Sequence, residues 1–225
     1  MGTITEIPFE VDTAALMQRA HVRPTSDDTL EFEQLVKLAQ NVGKPKALYT
    51  EVFVEFSGED TVKLNGYHFT SLMLRQNLSN VERVFPFVVT CGREMDQVEF
   101  SEDNLLKRFW WDTIKESLLM SAYQYLQGLL EHRYLLSKTS SMNPGSGDLT
   151  VWPIEQQREL FALLGDVHGQ IGVELTDSFL MIPNKTISGI HFPTEKNFRT
   201  CQVCHRENCP SRSAAFDQTL WESIQ

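Results

Sequence analysis

Apolar positions along this chain recur with a helical period in some stretches and alternate in others, and the changes of period mark the predicted elements. Residues 11–21 read as a short helix capped by Asp12. A second helix is expected over 27–40, capped by Ser26, with Leu30, Leu35, Val36 and Leu38 as its apolar side and a stop at Gly43–Pro45. The run 47–56 alternates, with Val52, Val54 and Phe56 on one face, as a strand does. TVKLNG (61–66) ends in an Asn-Gly turn signal with a further extended piece after it. RVFPFVVT (83–90) is apolar enough for a buried strand, and its Pro86 suggests an edge or a bulge.

The longest helical pattern covers 102–136, where Leu105, Phe109, Leu118, Leu126, Leu129 and Leu130 recur among Trp110, Trp111, Tyr123 and Tyr125. A helix this apolar is expected to be central, and Gly128 would permit close packing there. A polar break follows at 138–149. A helix opened by Pro153 is expected over 153–165, two strands around Pro183–Asn184 within 174–192, and a short helix around Ala214–Trp221. Strands and helices without regular βαβ alternation point to an α+β fold.

Charge narrows the function classes. The net charge of −10 argues against a nucleic-acid binder, which needs a basic face to replace counterions. No run of eighteen apolar residues is present, so no membrane span is expected. The start MGTITEIPFE lacks a basic region and an apolar region, so it does not read as a secretory signal, and with unpaired thiols this implies a cytoplasmic protein.

One stretch carries a family pattern. Pro144-Gly145 opens a loop; Leu175-Thr176-Asp177-Ser178-Phe179 and Met181-Ile182-Pro183 follow; Ser188-Gly189-Ile190-His191-Phe192 closes the match. From Asn143 to Phe192, over about 50 residues, order and spacing resemble the C-terminal activation domain of cobalamin-dependent methionine synthase. The resemblance implies a mixed, mainly antiparallel twisted sheet with a long central helix and flanking helices. It implies an activation-domain-like domain over 1–198, to which the cysteine-containing tail over 199–225 is extra. It also implies a shallow groove for S-adenosylmethionine, set over cobalamin presented by a corrinoid-binding partner or cobalamin-dependent methyltransferase. An electron donor such as flavodoxin or ferredoxin would belong to such a system. The domain supplies binding and geometry while the corrinoid does the chemistry.

The candidate ligand residues are Asn143, Pro144, Gly145, Ser146, Gly147, Asp148, Ser188, Gly189 and His191. Bare backbone at Pro144, Gly145 and Gly147 could approach a ligand, or could simply turn the chain into the next helix. Asp148 could meet a sulfonium or amino group, or cap the coming turn. His191 could titrate near neutrality facing the groove, or be packed with one hydrogen bond. Asp112 could face the cleft, or be a solvated helix position. The sequence also departs from the family pattern. Ser141 stands where the family has an Arg for the ligand carboxylate, Ser146 replaces a Tyr, His191 replaces an aromatic residue, and Gln124 replaces an acidic one. Loss of a charge-assisted pair costs on the order of 1.5–3 kcal/mol of binding.

Cys201, Cys204 and Cys209, the last followed by Pro210, fall within nine residues. Two thiolates three positions apart can chelate one metal and a third can return over a short loop. Zinc would require a fourth ligand, such as His205, Cys91 or an exogenous group, while an iron–sulfur cluster on three cysteines would give an electron route. The other readings are a Cys201–Cys204 disulfide or idle surface thiols. Cys91 follows the buried strand and reads as a packed apolar residue.

Two functions follow. One is reactivation of a corrinoid-dependent methyltransferase. The other is a non-catalytic metal- or iron–sulfur-binding accessory protein that kept the fold and lost the ligand. A hydrolase finds no support, since neither G-x-S-x-G nor H-E-x-x-H occurs.

Overall fold

The computed structural model of the chain describes residues 2–23, 27–148, 150–209 and 211–224. The expected Ser26 cap and the Pro210 of the cysteine run lie outside these residues. The strands are β1 (Gly2–Ile4), β2 (Lys46–Tyr49), β3 (Val52–Phe56), β4 (Thr61–Leu64), β5 (Tyr67–Thr70), β6 (Arg83–Thr90), β7 (Thr139–Met142), β8 (Glu174–Leu175), β9 (Met181–Ile182) and β10 (Thr186–Pro193). The helices are α1 (Thr13–Arg19), α2 (Asp27–Val42), α3 (Leu72–Asn77), α4 (Leu105–Tyr134), α5 (Gln157–Leu164), α6 (Val167–Ile171) and α7 (Gln218–Glu222). The fold is α+β, and every strand pairing among the described residues is antiparallel.

β6 is the centre of the main sheet. One of its sides pairs with β10, which pairs in turn with β7 at the sheet edge. Its other side pairs first with β2 and then with β3. Beyond these lie β1 on β2, and β4 and β5 on β3, while β8 and β9 form a separate small hairpin. Strand alternation then builds two cores. Phe85, Phe87 and Val89 of β6 face α1, α2 and α4. Val84 and Val88 face the opposite way, toward α3, α5 and α6. A strand covered on both faces is apolar throughout, and each fully buried Phe or Leu contributes about 1.5–3 kcal/mol.

Several expectations need correction. Pro86 lies in the central strand, not at an edge. It falls where the partner changes from β2 to β3, and its carbonyl accepts from the Thr50 amide at 3.0 Å. The 47–56 run is accordingly two strands rather than one. In α2 the buried stripe is Phe32, Leu35, Val36 and Ala39, at helical spacing, which leaves Leu30 68% exposed. α4 buries Trp110, Trp111, Ile114, Leu118, Leu119, Ala122, Leu126 and Leu130, so Leu105 and Phe109 fall off the stripe and are exposed. Nothing approaches Gly128, so it serves no close contact. The polar break contains β7, and 174–192 holds three strands. β7 was hidden because its residues, Thr-Ser-Ser-Met, carry little apolar signal.

Other expectations match the structure. Asp12 caps α1 through the Ala15 amide at 3.0 Å. Asn65 and Gly66 both take positive φ, 47° and 89°, as a two-residue hairpin turn of this kind requires. Pro153 stands at the entry to the short 3-10 turn that leads into α5. The cysteine-bearing tail packs on the body of the fold. Phe198 and Val203 are buried in the same core as Val84 and Val88, and Leu220, Trp221 and Ile224 lie against it. Among the described residues no helix is long and apolar enough to cross a membrane.

Candidate functional site

β7 ends the sheet, and α4 crosses above this end. Between them and the tail lies a groove of about 330 Å³. α4 contributes Met120, Tyr123, Gln124 and Gln127, a stripe at i, i+3, i+4 and i+7. β7 and the residue after it contribute Ser140, Ser141 and Asn143; β10 contributes Ile187. The tail closes the third side with Phe198, Arg199, Thr200, Cys201 and Ser213. Three hollows among the described residues are larger. Two, of about 550 and 670 Å³, lie by the N-terminal segment at the opposite sheet edge, and their linings, centred on Thr5–Glu10, hold no comparable set of convergent polar side chains. The third, of about 380 Å³, lies beside the first turns of α4, where Asp96, Arg108, Asp112, Lys115 and Asn184 converge.

Hydrogen bonds set the groove walls. The Tyr123 hydroxyl and the Ser141 hydroxyl lie 2.7 Å apart. Burial pushes the Tyr123 phenol above its usual range, opposed by the Ser141 bond and the nearby Arg199 charge. Ser140 Oγ donates to the Phe198 carbonyl at 2.9 Å and fastens β7 to the start of the tail. Arg212 clamps the tail itself: its guanidinium donates to the carbonyls of Cys201, Cys204, Arg206 and Ala214 at 2.6–3.1 Å. The Cys201 thiol is pushed up by burial, but Ser213 amide and hydroxyl donors, the Ala214 amide and the Arg212 charge outweigh this and lower it overall.

Asn143, which leads into the Pro144–Asp148 loop, meets β10 directly. Its Nδ2 donates to the Ser188 carbonyl at 2.6 Å, and a Cβ at Gly189 would overlap the Met142 carbonyl and the Asn143 amide. The groove opens beside this seam, toward α4. Of the nine candidate ligand residues, Asn143 lines the groove. Gly145 donates its amide to Trp152 and faces the Ile154 side chain, where a Cβ would lie 2.8 Å away. Pro144 is buried, and the Ser146 amide donates to the Asn143 carbonyl. Gly147 is exposed, and a Cβ on it would lie 3.1 Å from Thr200 and 3.5 Å from Cys204 of the tail. Asp148 accepts from the Thr150 amide and hydroxyl, which hold its carboxyl below the usual range, and lies 3.4 Å from His205 Nδ1. Ser188 Oγ donates to Gln157 on the far face of the sheet at 2.6 Å.

His191 is also enclosed. It is 1% exposed, and neither ring nitrogen has a hydrogen-bond partner among the described residues. Burial pushes its pKa down to about 4, opposed by Glu131, so the ring is neutral near pH 7. Asp112 lies elsewhere, with Oδ2 2.7 Å from Lys185 Nζ.

The tail cysteines Cys201, Cys204 and Cys209 are free thiols of intermediate exposure. Cys201 Sγ accepts from the Ser213 amide at 3.4 Å, and the Cys204 Cβ lies over Gly147. Among the described residues no group of three or more His, Cys, Asp or Glu side chains is placed to hold a metal ion. Cys91 is buried, and desolvation pushes its thiol up to about 12. Tyr123, Gln127, Ser140, Arg199, Thr200 and Ser213 were not picked out as ligand residues from the sequence. The i, i+3, i+4, i+7 spacing of the α4 residues was the one readable signal.

No protein-family profile matches the chain, and no curated protein matches it by sequence. Solved structures do match. A crystal structure of the MetH reactivation domain bound to AdoHcy aligns with 89% of this chain and 81% of its own, at a TM-score of 0.58 and 14% identity. The fold resembles that of the MetH reactivation domain. At this identity the likeness concerns the fold.

Proposed function

We propose that the groove between α4, β7 and the tail binds S-adenosylmethionine, and that the chain supports reductive methylation of cob(II)alamin held by a partner protein. The carrying observation is the position of this groove, at the junction of the long helix with the sheet edge, in a fold similar to a domain crystallised with AdoHcy. Its volume falls in the range of small-molecule sites. Tyr123, Gln124, Gln127, Ser141 and Asn143 offer donors and acceptors for a nucleoside, and Met120, Ile187 and Phe198 offer apolar contact.

The corrinoid would come from a corrinoid-binding protein or cobalamin-dependent methyltransferase, and the electron from a donor of the flavodoxin or ferredoxin kind. The unpaired thiols fit a reducing compartment such as the cytoplasm. This chain would contribute binding, orientation and exclusion of water. The test has two stages. Titration calorimetry with S-adenosylmethionine should give saturable heat and a raised unfolding temperature. A cob(II) corrinoid protein, a reductant and S-adenosylmethionine should then yield methylcobalamin only when this chain is present.

A second reading, a non-catalytic metal- or iron–sulfur-binding accessory protein that kept the fold and lost the ligand, draws support from Ser141 and from the Gly145 backbone packed against Ile154. Absence of heat and of a thermal shift at millimolar S-adenosylmethionine would select it.

A further inference from the structure

We infer that Arg199, carried by the segment that enters the tail, is the anion-holding residue of the groove and takes the carboxylate of an adenosyl amino acid. This rests on the reading of the groove as an S-adenosylmethionine site and names the residue that would select the amino-acid end of the ligand.

The argument starts from charge. The chain has thirty acidic residues against twenty Lys and Arg. Yet the groove lining contains no Asp and no Glu, and Arg199 is its one Lys or Arg. Arg199 is exposed, and none of the described ion pairs involves it. A guanidinium in a concave site without a carboxylate partner is matched to a planar anion by its fork of donors.

Placement supports the same conclusion. The Arg199 charge is felt at the Tyr123 hydroxyl, which bonds to Ser141. Arg199 and Ser141 line the same groove. The backbone of Arg199 is fixed independently of any ligand: its amide donates to Gln202 Oε1 at 2.8 Å and its carbonyl accepts from the Gln202 amide at 2.9 Å. Phe198 beside it is buried, with its carbonyl held by Ser140. Among the described residues the guanidinium thus has no ion-pair partner, at the tip of an anchored backbone. The other charge close by, Arg212, is committed to four tail carbonyls and stands next to the Cys201 thiol.

The experiment compares two ligands that share adenosine and the thioether sulfur. S-adenosylhomocysteine has the carboxylate; 5′-deoxy-5′-methylthioadenosine has none. Calorimetry on the full chain should show Arg199→Ala weakening S-adenosylhomocysteine by about tenfold or more, with methylthioadenosine unchanged. Arg199→Lys should recover part of the loss. Unfolding temperature without ligand should not move, because the side chain is exposed. Equal weakening of both ligands, or unchanged S-adenosylhomocysteine affinity in Arg199→Ala, overturns the inference while leaving the groove reading standing. Binding of neither ligand by the unaltered chain overturns the groove reading, and this inference with it.

Discussion

The Pro144–Asp148 loop and the groove wall beside it are neighbours that use their residues in opposite ways. In the loop, Gly145 and Gly147 take φ of 75° and 84°, and their missing side chains let Ile154, Thr200 and Cys204 come close. The bare backbone at Gly145 is packed against protein, while Gly147 stays exposed. In the wall, Tyr123, Gln124, Ser141, Asn143 and Arg199 have side chains and leave space between them. A run of glycines thus says that something approaches closely, without saying whether it is a ligand or the chain itself. The loop carries the family pattern; the groove carries the convergent polar groups.

That contrast can be broken by mutation. The largest effect is expected at the seam between loop and strand. Gly189→Ala places a methyl against the Met142 carbonyl, a backbone atom that cannot step aside. Denaturant unfolding should show a loss of about 3 kcal/mol, the upper end of the usual cost of overpacking. If the seam is structural, ligand affinity of the folded fraction should stay as it was. A stable Gly189→Ala protein that no longer binds S-adenosylmethionine would reverse the assignment and make the seam part of the site.

His191 comes next. Its folded pKa of about 4 lies below its ordinary value of 6.5, so the unfolded chain takes up a proton first as pH falls. Stability should therefore be full above about pH 6.5 and decline between there and pH 4, by roughly 2–4 kcal/mol in total. His191→Phe should remove this acid-dependent part, read by unfolding at pH 7 and pH 5. An unchanged pH profile in the variant would show that the ring finds a partner for its proton.

Asn143 belongs to both regions, since it bonds Ser188 and lines the groove. Asn143→Ala should cost about 1 kcal/mol of stability, and it should also weaken S-adenosylmethionine. Loss of stability alone would assign the residue wholly to the seam. The smallest effect is expected at Ser213→Ala. It removes one of the donors to Cys201 and should raise that thiol, slowing alkylation by iodoacetamide at pH 7 by about threefold or less. An unaltered rate would remove the hydroxyl from the causes of the shift.

The legibility of the parts follows from the range of the forces involved. Helix α4 was readable because thirty residues repeat one period, and the β4–β5 turn because Asn65-Gly66 encodes its own backbone shape. β7 was not, because three small polar residues and one methionine form a strand only when β10 offers its edge. The spacing of the cysteine trio was plain in the sequence, but the Ser213 donors and the Arg212 clamp around Cys201 come from a later turn of the tail and were not.

Residue order alone determined the α+β class, the long central helix, the turn at Asn65-Gly66 and the Asp12 cap, since each rests on contacts among near neighbours in the chain. Tertiary structure decided that Pro86 sits mid-sheet, that His191 is sealed beneath α4, and that Arg199 and Ser141 border one hollow. These depend on which distant segments pack together, and packing is settled by the burial of two whole faces of a sheet rather than by any local run of residues.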